Sequence, residues 1–118
     1  MFRTILKSKI HGATVTEANV EYTGSITIDP EILGAVDIIS NEKVQVVNLN
    51  NGSRLETYVI VGEKDSGTIA LNGGAALHAK VGDKILIMSY ILIETKDALS
   101  YTPKIVFLND NNKITDKK

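Results

Sequence analysis

KILIMSYILI, residues 84–93, is the most hydrophobic run of this 118-residue sequence. Its residues are apolar at nearly every position instead of every second position, which is typical of a strand with both faces buried. The run is far shorter than the roughly 18 apolar residues that a membrane-spanning helix needs. It therefore favours a closed sheet, a small β-barrel, over an open sheet.

The rest of the sequence also favours strands, because Val, Ile, Thr and Tyr recur in short runs separated by Gly, Asn and Asp. A short helix is predicted to begin at Asp29-Pro30-Glu31, where Asp caps free amides and Pro fits the first turn, and Gly34 keeps it short. Asn50-Asn51-Gly52 predicts a hairpin turn. The predicted strands are residues 2–7, 13–22, 25–28, 43–49, 54–62, 67–71, 84–93 and 103–108.

These patterns predict a mainly β fold with short helices and a single barrel domain over residues 1–108. Residues 109–118 are polar and are predicted to form a flexible tail. A chain of this length buries only about two-thirds of its unfolded surface, so association between subunits is expected to help it fold.

Composition restricts the class of function. The 13 Lys and Arg against 14 Asp and Glu give a formal net charge of −1, which argues against a nucleic-acid-binding barrel. Without cysteine the chain has no disulfide or thiol nucleophile and fits a reducing compartment. No apolar stretch resembles a secretory signal or a membrane anchor, so a cytoplasmic protein is predicted. Neither His11 nor His78 has an acidic residue at metal-ligand spacing, so no metal is expected.

Several small polar residues remain, and each has an ordinary explanation when taken alone. Gly24-Ser25 is typical of a turn, and Arg54 is typical of a solvated charge on a strand. The segment Asn72-Gly73-Gly74-Ala75 lacks bulky side chains and indicates a close approach of the backbone to another group. On these features alone, a non-catalytic small β-barrel that binds a ligand or a protein stays an open alternative.

The order and spacing of four segments resemble the bacterial aspartate 1-decarboxylases, small pyruvoyl-dependent enzymes that make β-alanine for pantothenate. The resemblance covers residues 1–108 and implies a double-psi β-barrel assembled as a homotetramer, with active sites between subunits. It also implies that L-aspartate is the substrate. The segments are MFRTILKSKIH (1–11), YTGSITID (22–29), NGSRLETY (51–58) and NGGAA (72–76).

The resemblance implies that the chain cleaves itself between Gly24 and Ser25 into two chains. The Ser25 hydroxyl attacks the Gly24 carbonyl, an ester replaces the peptide bond, and elimination followed by hydrolysis leaves a covalent pyruvoyl group on residue 25. Thr57 assists this rearrangement. The pyruvoyl group then forms a Schiff base with L-aspartate, which loses CO2 and yields β-alanine without pyridoxal phosphate or a metal.

The resemblance also implies roles in catalysis and substrate binding. Tyr58 returns a proton to the substrate carbon, and His11 and Tyr22 support the site. No role is assigned to His78. The residues expected to bind the substrate are Lys9, Arg54, Thr57, Asn72, Gly73, Gly74 and Ala75.

Overall fold

The computed structural model describes all residues from Met1 to Lys118 and is mainly β, as the sequence predicts. Two short helices, α1 (Pro30–Val36) and α2 (Thr95–Ala98), and one 3₁₀ segment (Gly73–His78) complete it. The longer helix, α1, has seven residues, so neither helix could span a membrane. The strands are β1 (Phe2–Thr14), β2 (Glu17–Asn19), β3 (Ser25–Ile28), β4 (Lys43–Asn48), β5 (Arg54–Val61), β6 (Ile69–Asn72), β7 (Lys84–Glu94), β8 (Lys104–Leu108) and β9 (Ile114–Lys117).

The nine strands form one sheet in the order β2-β6-β3-β5-β4-β7-β1-β8-β9. The hydrophobic strand β7 lies between β4 and β1 and pairs with both in antiparallel fashion. Strands β3 and β5 pair in parallel, as do β1 and β8. The edge strands β2 and β9 do not pair with each other, so ladder hydrogen bonds do not close the sheet.

The side chain of Asn112 links the two ends of this sheet. It is buried in the turn between β8 and β9. Its Oδ1 accepts the Thr14 N–H at 2.7 Å, and its Nδ2 donates to Thr14 O at 2.9 Å and to Gly67 O at 2.7 Å. Gly67 precedes β6, which lies next to the opposite edge strand. One amide group therefore joins the β8–β9 turn to the far end of the sheet.

This turn and β9 differ from the predicted tail over residues 109–118. Strand β9 pairs with β8, with Phe107 opposite Asp116. Asn112 adopts φ 57°, a left-handed conformation that Asn tolerates. A polar composition suits a turn as well as a tail when backbone groups of other segments are close enough to hydrogen-bond with the side chains of the turn.

The core lies on one face of the sheet, and β7 shows how that face forms. Ile85, Ile87 and Ser89 are buried, whereas Tyr90 and Leu92 on the outer face are 43% and 67% exposed. The prediction that both faces of residues 84–93 are buried is therefore wrong within one chain, because no other element of the chain covers the outer face. The largest fully buried side chains also include Ile10, Ile26, Ile28, Ile32, Ile69 and Leu71.

The boundaries of β3 to β8 agree with the prediction within two residues. The predicted strand over residues 13–22 is divided between the end of β1 and the three-residue β2. The predicted break between residues 7 and 13 is absent, because β1 continues through Ser8 and His11 between two partner strands, β7 and β8. Helix α1 begins as predicted, with the Glu31 N–H donating to Asp29 Oδ1 at 2.9 Å. The helix continues through Gly34 and ends at Val36.

Candidate active site

Ser25 begins strand β3 and is completely buried. It lies directly opposite Asn72 of β6 in the antiparallel pair. Asn72 Nδ2 donates to Ser25 Oγ at 2.9 Å and to Thr27 Oγ1 at 3.0 Å. The Ser25 oxygen is therefore the acceptor of this hydrogen bond. The hydrogen of the Ser25 hydroxyl takes no part in it.

Gly24 and Gly73 bring two backbone segments into close contact. A Cβ on Gly73 would lie 2.6 Å from both the Gly24 nitrogen and the Tyr22 oxygen. Gly73 also has φ +63°, a conformation that side chains rarely adopt. The predicted close approach of the backbone is confirmed at Gly73. An added Cβ on Gly74 would have nothing within 4 Å, so Gly74 does not share this contact.

A cleft of about 460 Å³ opens beside Gly24, and we call it the Gly24 cleft. It brings together five of the residues that the sequence predicts for the site. It also contains three residues to which the sequence assigns no role, among them the ionisable Glu56 and His78. The lining residues are Gly24, Leu55, Glu56, Thr57, Tyr58, Gly74, Ala75 and His78.

The Ser25 and Asn72 side chains line a separate space of about 270 Å³, the Ser25 cavity. Tyr22 and Thr27 line it as well. The bond between Gly24 and Ser25 therefore joins a residue of the Gly24 cleft to a residue of the Ser25 cavity. The other residues of this cavity are Glu17, Thr23, Ile60, Thr68 and Ala70.

His78 ends the 3₁₀ segment and is anchored to the β4–β5 turn. Its Nδ1 lies 2.5 Å from Ser53 Oγ, and its backbone oxygen accepts hydrogen bonds from Asn48 Nδ2 and Asn51 Nδ2, each at 3.0 Å. Asn48 also donates to Asp83, which lowers the pKa of that carboxyl. These contacts hold the segment that begins at Gly73 against the hairpin.

Lys9 and His11 lie away from the Gly24 cleft within one chain. Along the sheet, Lys9 opposes Met88, Met88 opposes Gln45, and Gln45 opposes Glu56. Three strand spacings of about 4.8 Å put the backbone of Lys9 roughly 14 Å along the sheet from the backbone of β5. His11 packs instead against Phe107, with ring centroids 5.0 Å apart.

Arg54 and Tyr58 share the outer face of β5, because residues four apart on a strand point the same way. Arg54 is exposed and forms none of the ion pairs of the chain. Tyr58 is 39% exposed and lines the Gly24 cleft. The guanidinium of Arg54 therefore has its donors available at the edge of the site, although Arg54 does not line the cleft.

Thr27, Glu56 and His78 are neighbours of the site that the sequence interpretation missed. A signal exists for Thr27 and Glu56, because period-two alternation puts Thr27 on the face of Ser25, and Glu56 on the face of Arg54 and Tyr58. His78 has no such signal, since its position follows from the path of the 3₁₀ segment.

Comparisons with known proteins show the family of this chain. The sequence profile of the aspartate decarboxylase family matches residues 1–115. The chain is 61% identical over 114 residues to the aspartate 1-decarboxylase of Caldicellulosiruptor saccharolyticus, covering 97% of this chain and 89% of that protein. It is 58% identical over 118 residues to the enzyme of Carboxydothermus hydrogenoformans, covering 100% and 93%. The crystal structure of the computationally designed msDPBB_sym2 protein matches 74% of this chain and 99% of that one, with 16% identity and a TM-score of 0.45.

Proposed function

We propose that this chain, which belongs to the aspartate decarboxylase family, converts L-aspartate to β-alanine and CO2 with a pyruvoyl group made from its own Ser25. The observation that carries the proposal is the arrangement at Gly24 and Ser25. Ser25 Oγ is buried and held by Asn72, and the neighbouring Gly24 has no side chain to shield its carbonyl. The family match over nearly the whole chain favours this enzyme over the alternative of a non-catalytic binding barrel.

The self-processing reaction begins when Ser25 Oγ attacks the carbonyl carbon of Gly24. A C–O bond forms, the C–N bond breaks, and the hydroxyl proton passes to the freed nitrogen. Loss of the Ser25 α-proton and cleavage of the Cβ–Oγ bond then release the Gly24 carboxylate. Water replaces the nitrogen, which leaves as ammonia, and a pyruvoyl group remains. Thr57 lines the same cleft as Gly24, which supports a role for its hydroxyl as a donor to the reacting carbonyl.

The pyruvoyl group supplies the carbonyl that binds the substrate amine and accepts the electrons released with CO2. Arg54 binds a substrate carboxylate through its planar pair of donors, and Lys9 adds a second positive charge for the dianionic substrate. Asn72 and the backbone from Gly73 to Ala75 surround the reacting end. Tyr58 returns a proton to the substrate carbon, and its position in the Gly24 cleft supports this role.

A homotetramer with active sites between subunits completes the proposal. Lys9 does not line the Gly24 cleft, and its backbone is roughly 14 Å along the sheet from β5 within one chain, which supports a Lys9 that reaches the substrate from a neighbouring subunit. The exposed Tyr90 and Leu92 on the outer face of β7 support burial of that face by association. His11 and Tyr22 stay in supporting roles.

A denaturing mass spectrum of the purified protein tests self-processing. We expect two fragments, residues 1–24 and a pyruvoyl-bearing fragment of residues 25–118, together with β-alanine production from L-aspartate. Ser25→Ala should give one intact chain with no activity, whereas the exposed Ser40→Ala should be processed and active. An intact wild-type chain that still decarboxylates aspartate would show that another group accepts the electrons.

A further inference from the structure

We infer that Thr27 is a positioning residue for self-processing, acting through the Asn72 amide that holds Ser25 Oγ. The inference deepens the proposed function and rests on it, because it concerns the reaction that forms the pyruvoyl group. The Thr27 hydroxyl hydrogen-bonds to Asn72 and makes no hydrogen bond with Gly24 or Ser25.

The geometry depends on a single nitrogen atom. Asn72 Nδ2 carries two hydrogens, and it donates to Ser25 Oγ at 2.9 Å and to Thr27 Oγ1 at 3.0 Å. Ser25 and Thr27 are two residues apart on β3, so their hydroxyls lie on the same face of the strand. Asn72 lies directly opposite Ser25 on β6, so its side chain reaches both hydroxyls.

Apart from the hydrogen bonds to Ser25 and Thr27, no hydrogen bond fixes the orientation of the Asn72 amide. Asn72 is only 6% exposed, and both of its side-chain hydrogen bonds are those made by Nδ2. If the Thr27 hydroxyl is removed, one buried N–H of Asn72 loses its acceptor, and an unpaired buried donor raises the free energy of the folded chain. The amide would then turn toward the Ser25 cavity or exchange the places of its nitrogen and oxygen.

Either movement affects the chemistry at Ser25. During elimination the Cβ–Oγ bond breaks, and Oγ leaves with the electron pair as an oxygen of the Gly24 carboxylate. An N–H donor aimed at Oγ stabilises the negative charge that develops there. A carbonyl oxygen in the same position would oppose that charge. The Thr27 hydroxyl therefore keeps the Asn72 N–H on the oxygen that needs it.

The experiment measures the rate at which newly made chains split. The protein is produced by cell-free synthesis, samples are denatured at set times, and intact chain and fragments are quantified by mass spectrometry. The variants are Thr27→Val, which keeps the shape but lacks the hydroxyl, Thr27→Ala, which needs no extra space, and Thr27→Ser, which keeps the hydroxyl. Thr68→Val is the matched control, because Thr68 lines the same cavity and its hydroxyl makes no hydrogen bond.

We expect Thr27→Val and Thr27→Ala to split about ten-fold more slowly than wild type, the effect of losing one buried hydrogen bond. Thr27→Ser and Thr68→Val should split at close to the wild-type rate. Thermal unfolding of the intact Thr27 variants, in the Ser25→Ala background, measures any loss of stability separately.

Three outcomes would overturn the inference while leaving the proposed function in place. These are wild-type splitting rates for Thr27→Val and Thr27→Ala, a Thr27→Ser rate as slow as that of Thr27→Val, or equal slowing by Thr68→Val. A wild-type chain that never splits would overturn the proposed function itself, and this inference with it.

Discussion

Gly73 has a stricter steric requirement than its neighbour Gly74. A Cβ at residue 73 would meet the Gly24 nitrogen and the Tyr22 oxygen, each at 2.6 Å, and these are backbone atoms that cannot rotate away. The loop that carries the predicted cleavage site must therefore move if Gly73 is replaced. Gly74 lines the Gly24 cleft, where an added methyl group has free space.

Gly73→Ala is expected to slow or prevent cleavage after Gly24 and to destabilise the intact chain by about 2 kcal/mol or more, from overpacking and left-handed strain. Gly74→Ala should be cleaved normally and change stability little. Fragment analysis gives the first result, and urea unfolding in the Ser25→Ala background gives the second. Equal behaviour of the two variants would contradict the steric role of Gly73.

Tyr58 and Arg54 lie on one face of β5, but we expect their loss to affect different kinetic constants. Tyr58→Phe keeps the ring and removes the proton donor, so kcat should fall on the order of 10²-fold or more with KM nearly unchanged. Arg54→Ala removes a carboxylate contact and should mainly raise KM.

Steady-state kinetics on L-aspartate distinguish the two effects, provided that fragment analysis first shows complete processing of each variant. A processed Tyr58→Phe with wild-type kcat would mean that water or another group delivers the proton.

Among the secondary-structure elements, α1 is joined to the loop before β6 by one buried carboxylate. Asp29 accepts the backbone N–H groups of Glu31 at 2.9 Å, Gly67 at 3.0 Å and Asp65 at 3.1 Å. Burial acts to raise the pKa of Asp29, but these three donors together lower it below its ordinary value. The ionised form is therefore the one that stabilises this junction.

Asp29→Asn should destabilise the folded chain at pH 7 by about 1–3 kcal/mol, the value of a charged cap with further backbone donors. Because the pKa is lowered in the folded state, the carboxylate stabilises fully above its unfolded pKa of roughly 3.9 and loses this effect as the pH falls through the folded value. The gap between wild type and variant should therefore shrink at acid pH.

Urea unfolding at pH 7 and near pH 2, in the Ser25→Ala background, measures this gap. Asp97→Asn is the control, because Asp97 is exposed and its carboxylate accepts no hydrogen bond. A gap of equal size at both pH values would show that the charge of Asp29 contributes nothing.

For the whole molecule, the separation of Lys9 from the Gly24 cleft is the feature that favours an active site between chains over one within a single chain. Within one chain, β7 and β4 lie between the strand of Lys9 and the strand of Tyr58. A symmetric assembly can bring one subunit's β1 to another subunit's β5 without changing either fold. In a site made from two chains, a defect in one chain and a different defect in the other can leave some sites intact. A site within one chain does not allow this.

Lys9→Ala and Ser25→Ala should each abolish most activity, and activity should return when the two variants assemble together. Co-expression with different tags, followed by purification on both tags, isolates mixed oligomers. Random mixing leaves about a quarter of the sites with both Lys9 and Ser25 intact if each site uses two chains.

Mixed oligomers of Lys9→Ala with the Lys9→Ala/Ser25→Ala double variant serve as the control and should stay inactive. Mixed oligomers no more active than this control, or a monomer mass by light scattering for active protein, would contradict sites between subunits.

Much of the fold and part of the site follow from the sequence, because local patterns carry the required information. Alternation and turn residues are short-range signals, and they locate β3, β5 and β8 closely. The cap at Asp29 correctly begins α1, and the small residues after Asn72 correctly indicate a close backbone contact at Gly73. The four segments shared with the aspartate decarboxylases predict the family that the comparisons show.

Tertiary structure decided the features that depend on distant partners. Strand β1 continues past its polar residues because β7 and β8 pair with it on both sides. The polar C-terminus forms a turn and β9, and Asn112 in that turn binds Thr14, 98 residues away. The link from Ser25 to Thr27 passes through Asn72, 47 residues from Ser25. Local sequence signals extend over a few residues, whereas these hydrogen bonds and the separation of roughly 14 Å between the backbones of Lys9 and β5 exist only once the strands are stacked in order.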